Sequence, residues 1–321
     1  DRFKGYAATL TPAMAEQLRT NPNVKSVSPV VPMYLAGTQS QPPSWGLPRI
    51  SERNLNLNQA PYQYPDSAGD GVDVYVVDSG VDVGNPEFGG RARWGVTTCR
   101  DCPSYDDHGH GTHCAGTIAS TSFGVAKRAS IVAVRVVNKL GQGDDAVIVA
   151  GITWAANAAL AAWNRSMRPS VISMSLAGGS STAVDAALAA AADNGVTVVV
   201  AAGNDFDDAC NQSPARSPVA IAVGAADQTD TVAEFSNYGR CVALYAPGVD
   251  ITSVKIGGGS STLSGTSMAG PHVTGVAALV LGRNRMLWGD EVKAAIVNGA
   301  TRGMLKGNLR GSPNLMLFNN I

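Results

Sequence analysis

Residues able to do covalent chemistry together stand at the ends of apolar segments: Asp78 in VYVVDSG, His110 opening HGTHCAGT, and Ser267 in LSGTSMAGPH. A serine hydroxyl is a weak nucleophile until a neutral imidazole takes its proton. A carboxylate on the other ring nitrogen fixes the tautomer and stabilises the imidazolium that forms. Asp78, His110 and Ser267 supply one of each. An oxyanion developing on the substrate then needs hydrogen-bond donors, which the Asn204 side chain at the end of VTVVVAAGN and the Ser267 backbone N–H can provide. Each residue has a plainer use by itself: aspartates end strands in turns, histidines between glycines are structural, and serines cap helices. Their joint occurrence points to nucleophilic catalysis through serine.

A rival chemistry sits in DDHGHGTHC, where Asp106, Asp107, His108, His110, His113 and Cys114 crowd together as for zinc. Such a site would leave GTSM and AAGN without a purpose. His113 and Cys114 follow His110 by three and four residues, so a helix packs them beneath it.

The elements that must position these groups alternate along the chain. Strand patterns over 72–80, 131–137, VISMSL, VTVVVAAGN and VAIAVGA are separated by helical patterns around HGTHCAGTIAS, DDAVIVAGITWAANAALAAW and TAVDAALAAAADNG. A final helix is predicted over MAGPHVTGVAALVLG, with Ser267 at or near its N-cap. Continuous apolar strands separated by helices predict an α/β fold whose mostly parallel sheet is covered on both faces. Functional groups in such sheets gather beyond the carboxyl ends of the strands, where Asp78, Asn204 and Leu176–Gly179 fall. In GQGDDAV, one of Asp144 and Asp145 is expected to cap the next helix and the other to stay free.

Before that alternation lie a strand-like KGYAATL, a helix TPAMAEQLRTNP opened by Thr11, a strand-like VKSVSPVV, and LAGTQSQPPSWGLP, which has the composition of a linker. Charged residues are 15% of 321 and the net charge is -1, so no electrostatic footprint for nucleic acid or an anionic membrane is present. No uninterrupted apolar run is expected to span a membrane. Five cysteines leave at least one unpaired. DRFKGYAATL lacks a signal-peptide pattern and Asp1 is not an initiator, so the sequence is expected to start inside a longer precursor.

VDSG, HGHGTHCAGT, AAGN and GTSMAGPH resemble the signature stretches of the subtilisin-like serine proteases (peptidase S8 family), in that family's order. HGTHCAG, FSNYGRC and ATRGMLKGNLRGSPN are similar to the proteinase K branch, especially its aqualysin-like members. FKGYAATLTPAMAEQLRTNPNV resembles the second half of the inhibitory propeptide. The resemblance implies a subtilisin-like three-layer fold over 38–321, preceded over 1–37 by a partial α+β propeptide, with a processing bond between about Tyr34 and Thr38. It implies a secreted endopeptidase of broad specificity, monomeric and inhibited by its own propeptide, acting on polypeptides through an acyl-enzyme. Asp78, His110 and Ser267 would be its triad, with Asn204 and Ser267 as oxyanion donors. A vacuolar or lysosome-like location is the alternative address, and a catalytically silent binding protein with retained propeptide the alternative function.

The resemblance also implies that substrate adds as a strand between Leu140–Gly143, with Gly141 and Gly143, and Ser175–Gly178, with Ser175, Leu176, Ala177 and Gly178. Ala201, Ala202 and Gly203 would line the specificity pocket, although Gly141 and Gly143 are equally plain turn glycines. Cys210–Cys241 matches a disulfide of relatives, Cys114 is expected as a free thiol, and Cys99 with Cys102 is left open. No cofactor is expected in the chemistry. Structural calcium is implied by the resemblance, yet Ala243 in CVALYAPG replaces the aspartate that helps relatives hold it, and ISERNLNLNQ lacks the usual aspartates.

Overall fold

In the computed structural model, which describes residues 5–6, 8–27, 36–54 and 60–319, the chain divides into two units, Asp1–Leu35 and Ala36–Ile321. In the first unit, helix α1 (Pro12–Arg19) starts where predicted. Thr11 Oγ1 accepts from Met14 N at 3.3 Å, and Pro12 stands in the first turn, where a missing N–H leaves no bond unmade. The two strand-like flanks do not form strands over 8–10 or 24–27, because a strand needs a ladder partner and neither has one among the described residues. Lys4, Ala7 and Ser28–Val31 of those flanks lie outside the described residues, as does Tyr34 of the expected processing region.

The second unit runs β1 (Ala36–Gln39), α2 (Gly46–Ser51), β2 (Tyr62–Pro65), β3 (Asp73–Asp78), β4 (Ala92–Thr97), α3 (His110–Ala119), β5 (Ser130–Arg135) and α4 (Asp145–Ser166). It continues with β6 (Ser170–Met174), β7 (Gly178–Gly179), α5 (Thr182–Asp193), β8 (Thr197–Ala201), β9 (Gln212–Ser213), β10 (Ile221–Ala226) and β11 (Val242–Pro247). The last elements are β12 (Ile251–Val254), β13 (Ser260–Leu263), α6 (Thr266–Arg283), α7 (Gly289–Gly299), β14 (Thr301–Arg302) and β15 (Leu315–Met316). Nine strands form one sheet in the order β14-β15-β11-β10-β8-β6-β3-β5-β4, parallel except for β14 against β15.

Alternation along the strands separates two cores, as a period of two requires. Val74, Val76, Ile131, Ala133 and Val199 face one core with α3 and α6. Tyr75, Val77, Val132, Val134 and Val200 face the other with α4 and α5. From β3 the chain goes to β4 and β5 on one side, then crosses to β6, β8 and β10 on the other. The order therefore reverses at β3, and its carboxyl end is the crevice where such sheets bind ligands.

Two expectations change at the element level. The Pro-rich stretch read as linker holds β1, paired antiparallel with β2, and α2, anchored by buried Leu47 and Ile50 and by Trp45 Nε1 donating to Val249 O at 2.9 Å. Partners this distant do not show in local composition. Against the expectation that nothing spans a membrane, α4 is long and apolar enough by length and composition, because alanines extend its apolar character across polar positions. One stripe of it, including Gly151, Ile152, Ala155 and Ala159, lies buried on the sheet.

Candidate active site

Asp78 is the last residue of β3 and its side chain is 1% exposed. Its carboxylate oxygens lie 2.8 and 3.0 Å from His110 Nδ1, and Oδ1 also accepts from Ser79 N at 2.7 Å. A carboxylate can only accept, so the proton sits on Nδ1 and Nε2 is left as the acceptor in the neutral ring. Burial works against charging this imidazole. The Asp78 carboxylate, helped by Cys114, outweighs it and holds the pKa well above the usual 6.5. The approach depends on Gly111, where a Cβ would overlap the Gly80 carbonyl and crowd Asp78. Asp106 fixes the loop before α3, accepting from Ser79 Oγ, His108 N, Gly109 N, Thr112 N and Thr112 Oγ1 at 2.6–3.1 Å.

Ser267 is one residue inside α6 and does not cap it; the N-cap position belongs to Gly265. Its Oγ donates to Ser175 O at 3.1 Å. The local geometry follows from Pro271, which stands four residues on and has no N–H for the Ser267 carbonyl. That carbonyl accepts instead from Ser175 Oγ at 3.0 Å and from Cys114 Sγ at 3.3 Å. Cys114, one turn along α3 from His110, also lies 4.0 Å from His110 Nδ1. One buried thiol thus touches both the imidazole and the serine backbone.

Asn204 Oδ1 accepts from Thr266 N at 2.8 Å and Thr266 Oγ1 at 2.9 Å, which orients the amide and leaves Nδ2 facing the other way. A Cβ on Gly265 would lie 3.6 Å from Ser267 N and 3.7 Å from Asn204 Nδ2. Ser267 N and the Asn204 amide therefore both lie beside Gly265. Ser267 N belongs to the first turn of α6, where no helical acceptor exists. Thr266, which also accepts from Gly203 N at 3.2 Å, was not foreseen as a positioning residue; its place before Ser267 in GTS was the available signal.

Ser175–Ala177 run on from β6 without a ladder partner among the described residues, and Leu176 is half-buried. Gly178 pairs with Ser213 through β7 and β9. Ala201 ends β8, Ala202 is buried, and Gly203 follows with its carbonyl taking Asn237 N at 3.0 Å. Gly141 closes a turn, its N–H donating to Asn138 O at 2.9 Å, and exposed Gly143 lies just beyond it. Asp144 is the helix cap, accepting from Val147 N at 3.0 Å, and Asp145 stays exposed.

The six side chains considered for zinc are not gathered. Asp106 staples its loop, Asp107 pairs with Arg135 at 2.6 Å, and buried His113 donates from Nε2 toward Ile251 O and Ser261 O, its pKa lowered to about 4 chiefly by burial. Among the described residues, Asp78, His110 and Cys114 alone bring ligand atoms within 4.8 Å of one another, and Asp78 and His110 already satisfy each other there. Cys210 and Cys241 form a disulfide, Cys99 pairs with Cys102, and Cys114 is free and buried.

Residues 69–314 match the subtilase family, peptidase S8, and residues 1–36 match the peptidase inhibitor I9 family. The chain is 45% identical over 326 residues to the sexual differentiation process subtilase-type proteinase isp6 of Schizosaccharomyces pombe, covering 99% of this chain and 69% of that protein. It is 40% identical over 336 residues to the subtilisin-like serine protease Pen ch 18 of Penicillium rubens, covering 98% of this chain and 67% of that one. The crystal structure of a cold adapted subtilisin-like serine proteinase superposes with a TM-score of 0.80 at 42% identity, covering 86% of this chain and 97% of that chain.

Proposed function

The chain belongs to the subtilase family, and from that premise we propose that it is a serine endopeptidase working through Asp78, His110 and Ser267. The observation that carries the reading is the Asp78 carboxylate bound to His110 Nδ1 at 2.8 Å, which leaves Nε2 to act as base. Ser267 Oγ attacks the scissile carbonyl carbon and gives its proton to His110 Nε2. The resulting oxyanion takes hydrogen bonds from Asn204 Nδ2 and Ser267 N. His110 passes the proton to the departing amine, and water then repeats the sequence on the acyl-enzyme. Loss of the Asn204 donor lowers kcat by about 10²–10³.

An extended peptide lies along Ser175–Gly178, with Gly141 and Gly143 on the opposite rim, and its side chain enters a pocket bounded by Ala201, Ala202 and Gly203. Main-chain pairing of this kind favours breadth over sequence preference. The chemistry needs no cofactor. Residues 1–37 act as the inhibitory propeptide and 38–321 as the peptidase, with self-cleavage between about Tyr34 and Thr38. A monomeric extracellular enzyme fits the Cys210–Cys241 disulfide, which oxidising compartments maintain.

The test is covalent labelling by a fluorophosphonate together with casein hydrolysis, after the propeptide is released. Label on Ser267, insensitive to EDTA, and casein cleavage are expected. Ser267→Ala is expected to take no label and to accumulate the uncut precursor. An unlabelled, inactive wild type would favour a binding protein, and normal processing of Ser267→Ala in a protease-free host would remove self-cleavage.

A further inference from the structure

The fold family implies a calcium ion near β11, and the residues present do not fit one. Ala243 occupies the bulge of β11, in register between Ala222 and Val223 of β10. A methyl group supplies no ligand, whereas calcium takes six to eight oxygens, carboxylates among them. One strand over, the turn 217–220 that feeds β10 is closed by Ala220 N donating to Ser217 O at 3.1 Å. Two carbonyls of this turn, Pro218 O and Ala220 O, converge on a single point. At that point stands the Lys293 ammonium of α7, 2.8 Å from each oxygen.

This lysine is unusual in its partners. Among the described residues it makes no ion pair, and both its bonds go to main-chain oxygens of one short turn. Burial lowers its pKa, the cost expected when an ammonium leaves water without a carboxylate to meet it. Two carbonyl dipoles aimed at one place repel each other unless a positive charge sits between them. A divalent metal there would lack a ligand shell, while an ammonium needs only acceptors for its three N–H bonds.

We propose that the Lys293 ammonium is the resident cation of this turn, a tethered charge that clamps the entry of β10 to α7 where no calcium is held. The consequence is local rigidity independent of free metal. A lysine carried on a helix is present at unit stoichiometry whenever the protein is folded, so chelation cannot remove it.

The experiment is hydrogen exchange of the full chain carrying Ser267→Ala, to suppress autolysis, followed at the peptide covering 217–222. Exchange there is expected to be the same in EDTA and in millimolar calcium chloride. Lys293→Met is expected to speed it at least tenfold in both, as loss of two charge-assisted bonds from a half-buried ammonium implies, and Lys293→Arg to restore most of the protection. Slower exchange of this peptide in calcium than in EDTA overturns the proposal, and so does unchanged exchange in Lys293→Met. Should Lys293→Met fail to fold, the calcium arm on Lys293→Arg and on the parent chain still decides.

Discussion

In the proposed mechanism His110 Nε2 receives the proton leaving Ser267, so the pH dependence of hydrolysis is expected to follow how firmly Asp78 holds the opposite nitrogen. The base works only when neutral, and activity falls as pH drops through its pKa. With burial opposing the charge and Asp78 overriding it, that pKa lies well above 6.5, and the acid limb of kcat/KM is expected above 6.5. Asp78→Asn removes the charge that raises it. The limb is then expected to move to lower pH while kcat falls by about 10⁴, read from pH–rate profiles of both enzymes. An unmoved limb would assign the titration to another group. At this scale the meeting of Asp78 and His110 was legible in the sequence, because they end and begin strongly patterned segments. The hydroxyl of Ser175 and the thiol of Cys114 were not legible in their role of supplying the Ser267 carbonyl. That need arises from Pro271, and only packing shows which donors reach the gap.

At the scale of elements, the site depends on α3 lying almost against the end of β3. Gly111 permits this contact, since a Cβ there would meet the Gly80 carbonyl and sit 3.2 Å from Asp78 Oδ1. Gly111→Ala is expected to destabilise by about 1–3 kcal/mol through overpacking. By shifting His110 against Asp78 it should also lower kcat by about 10². Urea midpoints in a Ser267→Ala background and kcat per titrated active site separate the two effects; an unchanged kcat would mean that α3 has room to move as a body. The long elements were readable: β3, β5, β6, β8, β10, α4, α5 and α6 lie on their predicted segments because apolar periodicity and burial coincide there. Others were not: β4 and β11, six residues each, and α7, eleven residues, had no predicted segment, nor did the shortest strands. β14 and β15 are two residues each, and β1 and α2 are specified by contacts with Tyr62–Pro65 and Val249 rather than by their own composition. The Lys293 clamp escapes a sequence reading for a related reason: its acceptors are backbone carbonyls, which every residue has.

For the molecule as a whole, the disulfide joins Cys210, shortly after Asn204, to Cys241 at the entry of β11, across a separation of 31 residues. Closing a loop of that size stabilises by about 3–4 kcal/mol in the chain-entropy account. Cys210→Ser with Cys241→Ser is expected to lower the unfolding free energy by that amount, measured by urea denaturation with Ser267→Ala; a loss below about 1 kcal/mol would show that the unbridged chain is restrained in other ways. The sheet order carries a further consequence, one of timing. Asp78 and His110 are made early in synthesis, but Ser267 rides on α6, which must seat against β6, β8, β10 and β11 before its hydroxyl meets Ser175. Ser267 is thus the last part to arrive at a site whose Asp78 and His110 come from the first half of the chain and whose Asn204 and Ser175 come from the second. On the proposed mechanism, a fragment ending before α6 has a base and a carboxylate but nothing to attack with, and unfinished chains are expected to be without hydrolytic activity.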